Sequence, residues 1–196
     1  MNESDEKLIA AVAAGDREAF ATLYRKRRPD VYRFALHMTG VPATAEDVAH
    51  DVFLAVIREA GRYTPGRSGV VAWLLGIARN HALRRMTERR HEPLPEDGFE
   101  PRVTADPADE VARRQAIAAL RAALAALPVP YREAVVLCDL QELSYQEAAD
   151  ASGCAIGTIR SRLHRGRALL ADTLRKEPWT ETTPGSNGMS RTRFAG

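Results

Sequence analysis

Residues 143–170 read LSYQEAADASGCAIGTIRSRLHRGRALL, and this stretch decides the fold of the C-terminal half. Ser144 and Glu147 have the S-x-x-E spacing of a capping box, in which each side chain bonds the other residue's backbone amide at a helix start. Gly153 can adopt the left-handed conformation that ends a helix. A short helix, a glycine-containing turn and a second helix together predict a helix-turn-helix.

The second helix of this motif, expected from about Ala155 to Ala171, has two different faces. One face is an apolar stripe when successive residues are turned by about 100°, and we expect it to be core. This stripe consists of Ile156, Ile159, Leu163 and Leu170. The opposite face carries Thr158, Arg160, Ser161, Arg162 and Arg165. Arginine can bind guanine edges or phosphates, and short hydroxyls near a helix start suit the major groove.

Charged residues on a helix usually mark only a solvated surface. No acidic residue between Ile156 and Leu170 balances the arginines, however, and His164 and Arg167 add to the basic flank. We therefore favour DNA binding for this face. A helix-turn-helix alone would still be compatible with many classes of regulator.

The chain before residue 175 has helical spacing almost throughout, and no alternating stretch indicates a strand. The sequence therefore predicts an all-α fold. Residues that break helices mark the expected ends. Gly15 ends a first helix, Pro29 interrupts the next, and Gly40 with Pro42 closes a third.

A polar pair opens the next predicted helix. Thr44 and Asp47 have the spacing of capping residues, and the helix is expected to run to about Gly61. A loop containing Tyr63 follows, and then a long helix from about Val70 to Arg90. These elements complete a first domain, residues 1–90.

Residues 91–108 are rich in proline and acidic residues, a composition that cannot propagate a helix and predicts a flexible linker. A second small helical domain is predicted over residues 109–175. Its first helix runs from Asp109 to Leu127, breaks at Pro128 and Pro130, and resumes through Leu140. Residues 176–196 are predicted to be a disordered tail.

The overall charge gives little indication of a partner, since 28 Lys and Arg face 26 Asp and Glu. Local basic clusters, at Arg79–Arg90 and Arg160–Arg167, do point to phosphates. The two cysteines, Cys138 and Cys154, provide neither a zinc site nor a disulfide framework. The N-terminus lacks a basic signal region and no apolar run reaches spanning length. We expect a cytoplasmic protein with no metal, no cofactor and no direct membrane insertion.

The predicted helix from Ala45 to Arg58 has an apolar face and a polar face. Leu54 and Ile57 fall on the polar side, among Asp47, His50 and Asp51. Isolated aliphatic residues surrounded by charge indicate a docking surface for a protein partner. Burial against a neighbouring helix of the same domain is the alternative.

Within that helix, residues 45–54 (AEDVAHDVFL) resemble the polymerase-binding helix of extracytoplasmic-function (ECF) sigma factors. The resemblance implies that this helix binds the clamp helices of the β′ subunit of RNA polymerase. It assigns the contacts to Asp47, Asp51, Phe53 and Leu54. His50 stands where the family more often has Gln.

Residues 73–80 (WLLGIARN) resemble the segment of the same family that opens and reads the −10 promoter element. An exposed loop beside a basic helix can hold an unstacked base and its phosphates. The residues concerned are Tyr63, Arg79, Asn80, Arg84 and Arg85. Trp73 is expected to be a core anchor, and Val70 replaces a common Phe.

Residues 143–149 and 157–163 are similar to the family's reader of the −35 element, with Ala148 in place of a commoner Ile. The resemblance covers about residues 5–172. It implies a sigma factor that catalyses nothing itself. It also implies core RNA polymerase (the β′ clamp helices and the β subunit) and promoter DNA as partners, and it allows an anti-sigma factor as a third.

Two other functions are compatible with parts of the sequence. One is a helix-turn-helix regulator that binds duplex DNA as a dimer without polymerase. The other is a di-iron helical bundle, because Asp47-x-x-His50 and Glu88-x-x-His91 have the spacing of its ligands. Such a site needs two further inward carboxylates, which no facing helix supplies convincingly.

Overall fold

A computed structural model describes residues 4–66, 68–89 and 107–176. Its α-helices are α1 Asp5–Ala13, α2 Arg17–Thr39, α3 Pro42–Glu59, α4 Val70–Arg89, α5 Pro107–Ala126, α6 Val129–Val135, α7 Tyr145–Ser152 and α8 Ile156–Lys176. A 3-10 turn, Ala60–Arg62, follows α3, and a π-helical turn, Val136–Leu140, follows α6. These ranges contain no strand, which confirms the all-α prediction.

Helix α2 runs through Pro29, so the predicted interruption there is wrong. Proline removes one backbone donor and normally kinks or breaks a helix. Here Leu23 on one side of Pro29 and Val31 and Phe34 on the other are fully buried in the same core. Tertiary packing of both halves therefore outweighs the local cost. Helix α2 ends at Thr39, and Gly40 follows it with a left-handed backbone, φ of +73°.

Helix α3 begins two residues before the predicted capping pair. Val41 occupies the N-cap and Pro42 the first turn, where its missing amide costs nothing. Thr44 is buried within the helix and caps no amide, so its predicted role as a cap is wrong. The helix ends at Glu59, close to the predicted end near Gly61.

Helix α4 matches the prediction to within one residue at its C-terminal end. Residues 91–106 of the predicted linker lie outside the described residues, and its last two residues, Pro107 and Ala108, belong to α5. The predicted tail also lies outside them, apart from residue 176. Helix α8 continues five residues beyond its predicted end, to Lys176.

The second half packs α5, α6 and α8 around a small apolar cluster. Its buried members are Leu124, Leu127, Ala134, Val135 and Leu163. A Cβ atom at Gly166 of α8 would lie 3.0 Å from the Tyr131 carbonyl oxygen and 2.8 Å from a methyl of Val135. The absence of a side chain at this position lets α6 and α8 pack closely.

The two halves also pack against each other. Ala148 and Ala149 of α7 and Ile159 of α8 belong to the same continuous core as Leu75 and Ala78 of α4. Arg132 of α6 reaches across and donates a 2.6 Å hydrogen bond to the Met38 carbonyl oxygen at the end of α2. The described residues thus form two helical groups in direct contact.

Candidate nucleic-acid and protein interfaces

The helix-turn-helix forms through the capping pair that the sequence indicates. The Ser144 hydroxyl accepts a 3.2 Å hydrogen bond from the Glu147 amide, and the Glu147 carboxylate accepts a 3.0 Å bond from the Ser144 amide. Gly153 follows α7 with φ of +64°, a left-handed conformation that glycine adopts without steric cost. The turn therefore directs α8 away from α7 at a defined angle.

Helix α8 presents the predicted basic face to solvent. Ile159 and Leu163 are buried, whereas Arg160, Ser161 and Arg165 are exposed. Thr158 and Arg162 are half-buried. Neither Arg162 nor Arg165 makes an ion pair with any residue that the structure describes, so both guanidinium groups are available to phosphates or base edges.

Arg160 of this face and Arg167 on its flank are already engaged. The Arg160 guanidinium lies 5.7 Å from the centre of the Tyr145 ring, within the range of a cation–π contact. Arg167 bonds Asp139 at 2.5 Å, and this hydrogen bond raises the pKa of Arg167. Arg167 is consequently less suited to a DNA contact than Arg162 or Arg165.

Helix α3 exposes an aliphatic pair as its angular pattern predicts. The side chains of Leu54 and Ile57 are 42% and 56% exposed, although Val48, Val52 and Val56 on the opposite side are buried. Intramolecular burial of the pair, the alternative considered above, does not occur. Asp47 lies on the same exposed side.

Phe53 is only 2% exposed, which corrects its assignment as a polymerase contact. Its ring packs edge-on against Tyr24, with centroids 4.8 Å apart, and against Phe20 at 6.3 Å. Phe53 therefore fixes α3 against α2. It can support the docking surface, but it does not form part of it.

An ion pair joins the predicted polymerase contact to the predicted −10 contact. Arg85 of α4 donates a 2.9 Å hydrogen bond to Asp51 of α3 and lies 3.6 Å from Asp47. The hydrogen bond to Asp51, with the nearby carboxylates, raises the pKa of Arg85. His81 also lies 3.7 Å from Asp51. The two predicted surfaces are thus adjacent.

Three of the remaining −10 candidates, Tyr63, Arg79 and Asn80, line a cavity of about 420 Å³ between α4 and α7. The Tyr63 hydroxyl donates a 2.9 Å hydrogen bond to the Ser68 carbonyl oxygen, and its ring meets half-buried Trp73 edge-on at 5.6 Å. Asn80 is exposed. Arg84 bonds Glu88 of its own helix at 2.8 Å, an exposed pair that DNA could displace readily.

Arg79 differs from its neighbours because its partner comes from the second half of the chain. Its Nε donates a 2.5 Å hydrogen bond to the Glu133 carboxylate of α6. Glu133 and its neighbour Arg132 are buried charges that sequence reasoning missed. Both lie in a short helix whose sequence shows no motif, and only the packing of the two halves gives them partners.

The described residues do not assemble a metal site. They contain no group of three or more His, Cys, Asp and Glu side chains placed to hold a metal ion. Asp47 lies beside Arg85, Glu88 is bonded to Arg84, and His91 lies outside the described residues. Both cysteines are half-buried, and burial raises the pKa of the Cys138 thiol to about 11.

Family models match both halves of the chain in order. Sigma-70 region 2 matches residues 23–92, and Sigma-70, region 4 matches residues 117–170. The chain is 40% identical over 183 residues to the ECF RNA polymerase sigma factor SigE of Mycolicibacterium smegmatis, a match that covers 88% of this chain and 70% of that protein. It is 36% identical over 172 residues to SigM of Mycobacterium tuberculosis, with 87% and 85% covered.

Solved structures show the same arrangement of helices. The sigma factor RpoE of Bartonella quintana, in complex with the anti-sigma factor NepR, matches with a TM-score of 0.67 and 26% identity over 81% of this chain and 98% of that chain. CnrH in complex with the cytosolic domain of CnrY matches in fold, with a TM-score of 0.70 and 24% identity over 90% and 100%. In the part of the chain described, no helix is long and apolar enough to cross a membrane.

Proposed function

This chain belongs to the ECF sigma factors, which act with RNA polymerase in promoter-specific transcription initiation, and we propose which of its residues carry that function. Sigma factors are not enzymes, so the chemistry of RNA synthesis belongs to the polymerase. The observation that carries the proposal is the face of α8, where Arg162 and Arg165 have no ion-pair partner among the described residues. That face lies inside the region 4 match.

The −35 element is read by α8. Thr158, Arg160, Ser161, Arg162 and Arg165 form this reading face. Pro128, Pro130 and Tyr131 form the other wall of an open groove beside it. Arg162 and Arg165 supply the charge that holds the duplex, and the shorter side chains near the start of α8 allow it to approach the major groove.

The −10 element is held by α4 and the loop before it. Arg79, Asn80, Arg84 and Arg85 offer guanidinium and amide donors along consecutive turns of one helix. Tyr63 lies at the edge of the cavity and can contact an unstacked base. This assignment rests on the region 2 match and on the basic character of α4.

Core polymerase binds the exposed side of α3. Leu54 and Ile57 supply apolar area at the centre of this surface, and Asp47 and Asp51 supply charge at its edge. We assign this contact to the β′ clamp helices and a further contact to the β subunit. The protein then acts in the cytoplasm, where the polymerase is, and an anti-sigma factor can compete for the same surfaces.

A reconstituted transcription assay tests these assignments. Purified protein and core polymerase are incubated with a library of genomic promoters, and run-off transcripts are identified. We expect transcripts only when both components are present, and weak DNA binding by the protein alone. Tight binding of the protein alone to a palindromic duplex, with no effect of core polymerase, would instead favour a polymerase-independent regulator.

Matched variants locate the two surfaces. Asp47→Arg should weaken binding of core polymerase, whereas Glu18→Arg, which reverses an exposed acid on α2, should not. Arg165→Ala should reduce transcription, whereas Arg175→Ala, at the end of α8, should not. Equal behaviour of each variant and its control would contradict the corresponding assignment.

A further inference from the structure

We propose that the packing of the two halves is a self-inhibited state, in which Glu133 occupies Arg79 in place of a promoter phosphate. The inference rests on the proposed role of Arg79 in −10 binding. It adds that the free protein shields this residue itself, without a second protein. Opening of the α4–α7 contact then has to precede capture of −10 DNA.

The Arg79–Glu133 pair is short and largely buried. Its Nε–Oε1 distance is 2.5 Å, and the Glu133 side chain is only 3% exposed whereas that of Arg79 is 22% exposed. A carboxylate and a phosphate offer the same kind of charged oxygen to a guanidinium. Glu133 and a DNA phosphate therefore compete for one group, and in the closed state the competitor is already in contact.

Helix α7 also covers α4 sterically. Gly76 lies in α4 between Trp73 and Arg79, and a Cβ atom there would be 3.4 Å from the Ala151 carbonyl oxygen and 3.5 Å from its Cα. The backbone at the end of α7 thus rests directly on the stretch of α4 assigned to the −10 element. A DNA strand cannot occupy that position until α7 moves away.

Arg132, the residue next to Glu133, also stabilises the closed state. Its guanidinium crosses to the Met38 carbonyl oxygen at 2.6 Å and also bonds the Leu127 carbonyl oxygen at 3.1 Å within the second half. Two adjacent residues of α6, one cationic and one anionic, therefore each hold a different helix of the first half. This gives the contact a defined orientation.

Part of the contact between the halves is polar. The cavity of about 420 Å³ between α4 and α7 is lined by polar groups, including Arg62, Asn80 and Asp150. The Ser152 hydroxyl, also at this cavity, is buried with no hydrogen-bond partner in the described residues. Water can hydrate these groups when the halves separate, and this offsets part of the cost of exposing Leu75, Ala148 and Ala149, which are buried beside the cavity.

The polymerase surface stays accessible in the closed state. Leu54 and Ile57 are exposed there, on the side of α3 away from its buried face. Core polymerase can therefore bind first and DNA second. A free sigma factor with covered −10 contacts would not occupy DNA unproductively.

Two variants of the full chain test the inference by independent means. Glu133→Gln removes the competing charge, and Ala151→Leu enlarges the residue of α7 whose backbone rests on Gly76 without changing any charge. The control is Asp172→Asn, which removes one exposed acid from α8 and so matches the change in net charge. Circular dichroism verifies that each variant keeps its helical content.

The readouts are the radius of gyration from small-angle X-ray scattering and the affinity for a fluorescent single strand carrying the −10 element of a promoter identified by run-off transcription. Glu133→Gln and Ala151→Leu should both increase the radius. Glu133→Gln should bind the strand about tenfold more tightly, the factor expected from losing one competing charge-assisted hydrogen bond. Ala151→Leu should also bind it more tightly, because α7 no longer covers this stretch of α4. Asp172→Asn should change affinity by less than about twofold, as one distant exposed charge does.

Unchanged affinity in Glu133→Gln relative to the control overturns the inference. An expanded Ala151→Leu variant with unchanged affinity overturns it as well, and so does the absence of expansion in both variants. Arg79→Ala, tested with core polymerase, separates this failure from failure of the proposed function. If Arg79→Ala transcribes normally both alone and combined with Glu133→Gln, the −10 assignment of Arg79 is itself wrong.

Discussion

Removal of the Arg132 side chain should destabilise the protein by about 3 kcal/mol, and the structure shows why. The guanidinium donates to the carbonyl oxygens of Met38 at 2.6 Å, Ala125 at 2.5 Å and Leu127 at 3.1 Å. Ala125 lies in the last turn of α5, Leu127 lies just beyond that helix, and Met38 lies in the last turn of α2. One side chain therefore caps the C-terminal ends of two helices, where a cation is also favoured by the helix dipole.

The magnitude is a difference between opposing effects. Each hydrogen bond to a charged donor contributes about 1.5–3 kcal/mol, and Arg132→Ala leaves buried carbonyl oxygens without a partner. Burying the guanidinium costs several kcal/mol, consistent with its 8% exposure and with the lowered pKa that burial causes. Its Nε also has no partner in the described residues. The net loss of about 3 kcal/mol corresponds to a fall in Tm of about 6–12 °C for a chain of this size.

Urea unfolding measures the effect in a Trp179→Phe background, where Trp73 is the single tryptophan. Circular dichroism follows all helices, and fluorescence follows Trp73 in the first half. Because Arg132 bridges the halves, Arg132→Ala should lower both transitions. Arg175→Ala removes an exposed arginine whose one hydrogen bond within the described ranges is to the Ala171 carbonyl oxygen of its own helix. It should change stability by less than about 0.5 kcal/mol. A loss below about 1 kcal/mol in Arg132→Ala would refute the capping argument.

Arg162→Ala should weaken promoter binding by about 1–3 kcal/mol if Arg162 contacts a base edge. Arg165→Ala should reduce the slope of log affinity against log salt concentration by about one if Arg165 contacts a phosphate. Unchanged transcription in both variants would contradict the choice of reading face. Leu54→Ala should weaken core-polymerase pull-down with an unchanged urea midpoint, since the side chain is exposed; normal pull-down would remove it from the docking surface. Burial, with the charges of neighbouring arginines, lowers the pKa of His37 below its ordinary 6.5. The unfolded chain therefore binds more protons as pH falls through 6.5, so stability is full above that pH and decreases below it. Urea midpoints of the unsubstituted protein should be lower at about pH 5.5 than at about pH 7.5. This difference should be smaller in His37→Gln and unchanged in His50→Gln, where the substituted side chain is exposed. An equal difference in the unsubstituted protein and both variants would exclude His37 as its source.

Local signals in the sequence predicted the helix-turn-helix well. The reciprocal bonds of Ser144 and Glu147 and the left-handed Gly153 depend on residues close together in the chain. The same reasoning failed at Pro29, because the propensity of one residue was weighed without the burial of Leu23 and Phe34 around it. Helix periodicity shows which face is apolar, but it does not show how much that face compensates for a missing hydrogen bond.

Phe53 illustrates a different limit. At about 100° per residue it lies about 80° from Ala45, at the border of the buried face of α3. The family resemblance assigned it a role in docking, but a role does not determine the direction of a side chain. Helix α2 places Phe20 and Tyr24 over that border, and the aromatic ring is buried there. Residues at the edge of an apolar face are thus determined by which neighbour packs beside them.

The contact between the two halves lay beyond sequence reasoning for a related reason. Arg79 and Glu133 are 54 positions apart and have no shared motif, so neither residue indicates the other. Composition predicted a flexible linker between two helical domains, and a flexible linker does not determine how the two domains pack. Contacts such as Gly76 on Ala151 depend on the complementary shapes of two surfaces, each of which is specified by its own local pattern. For a protein that has to bind a polymerase and two promoter elements in turn, this contact is where regulation can act without altering either reading surface.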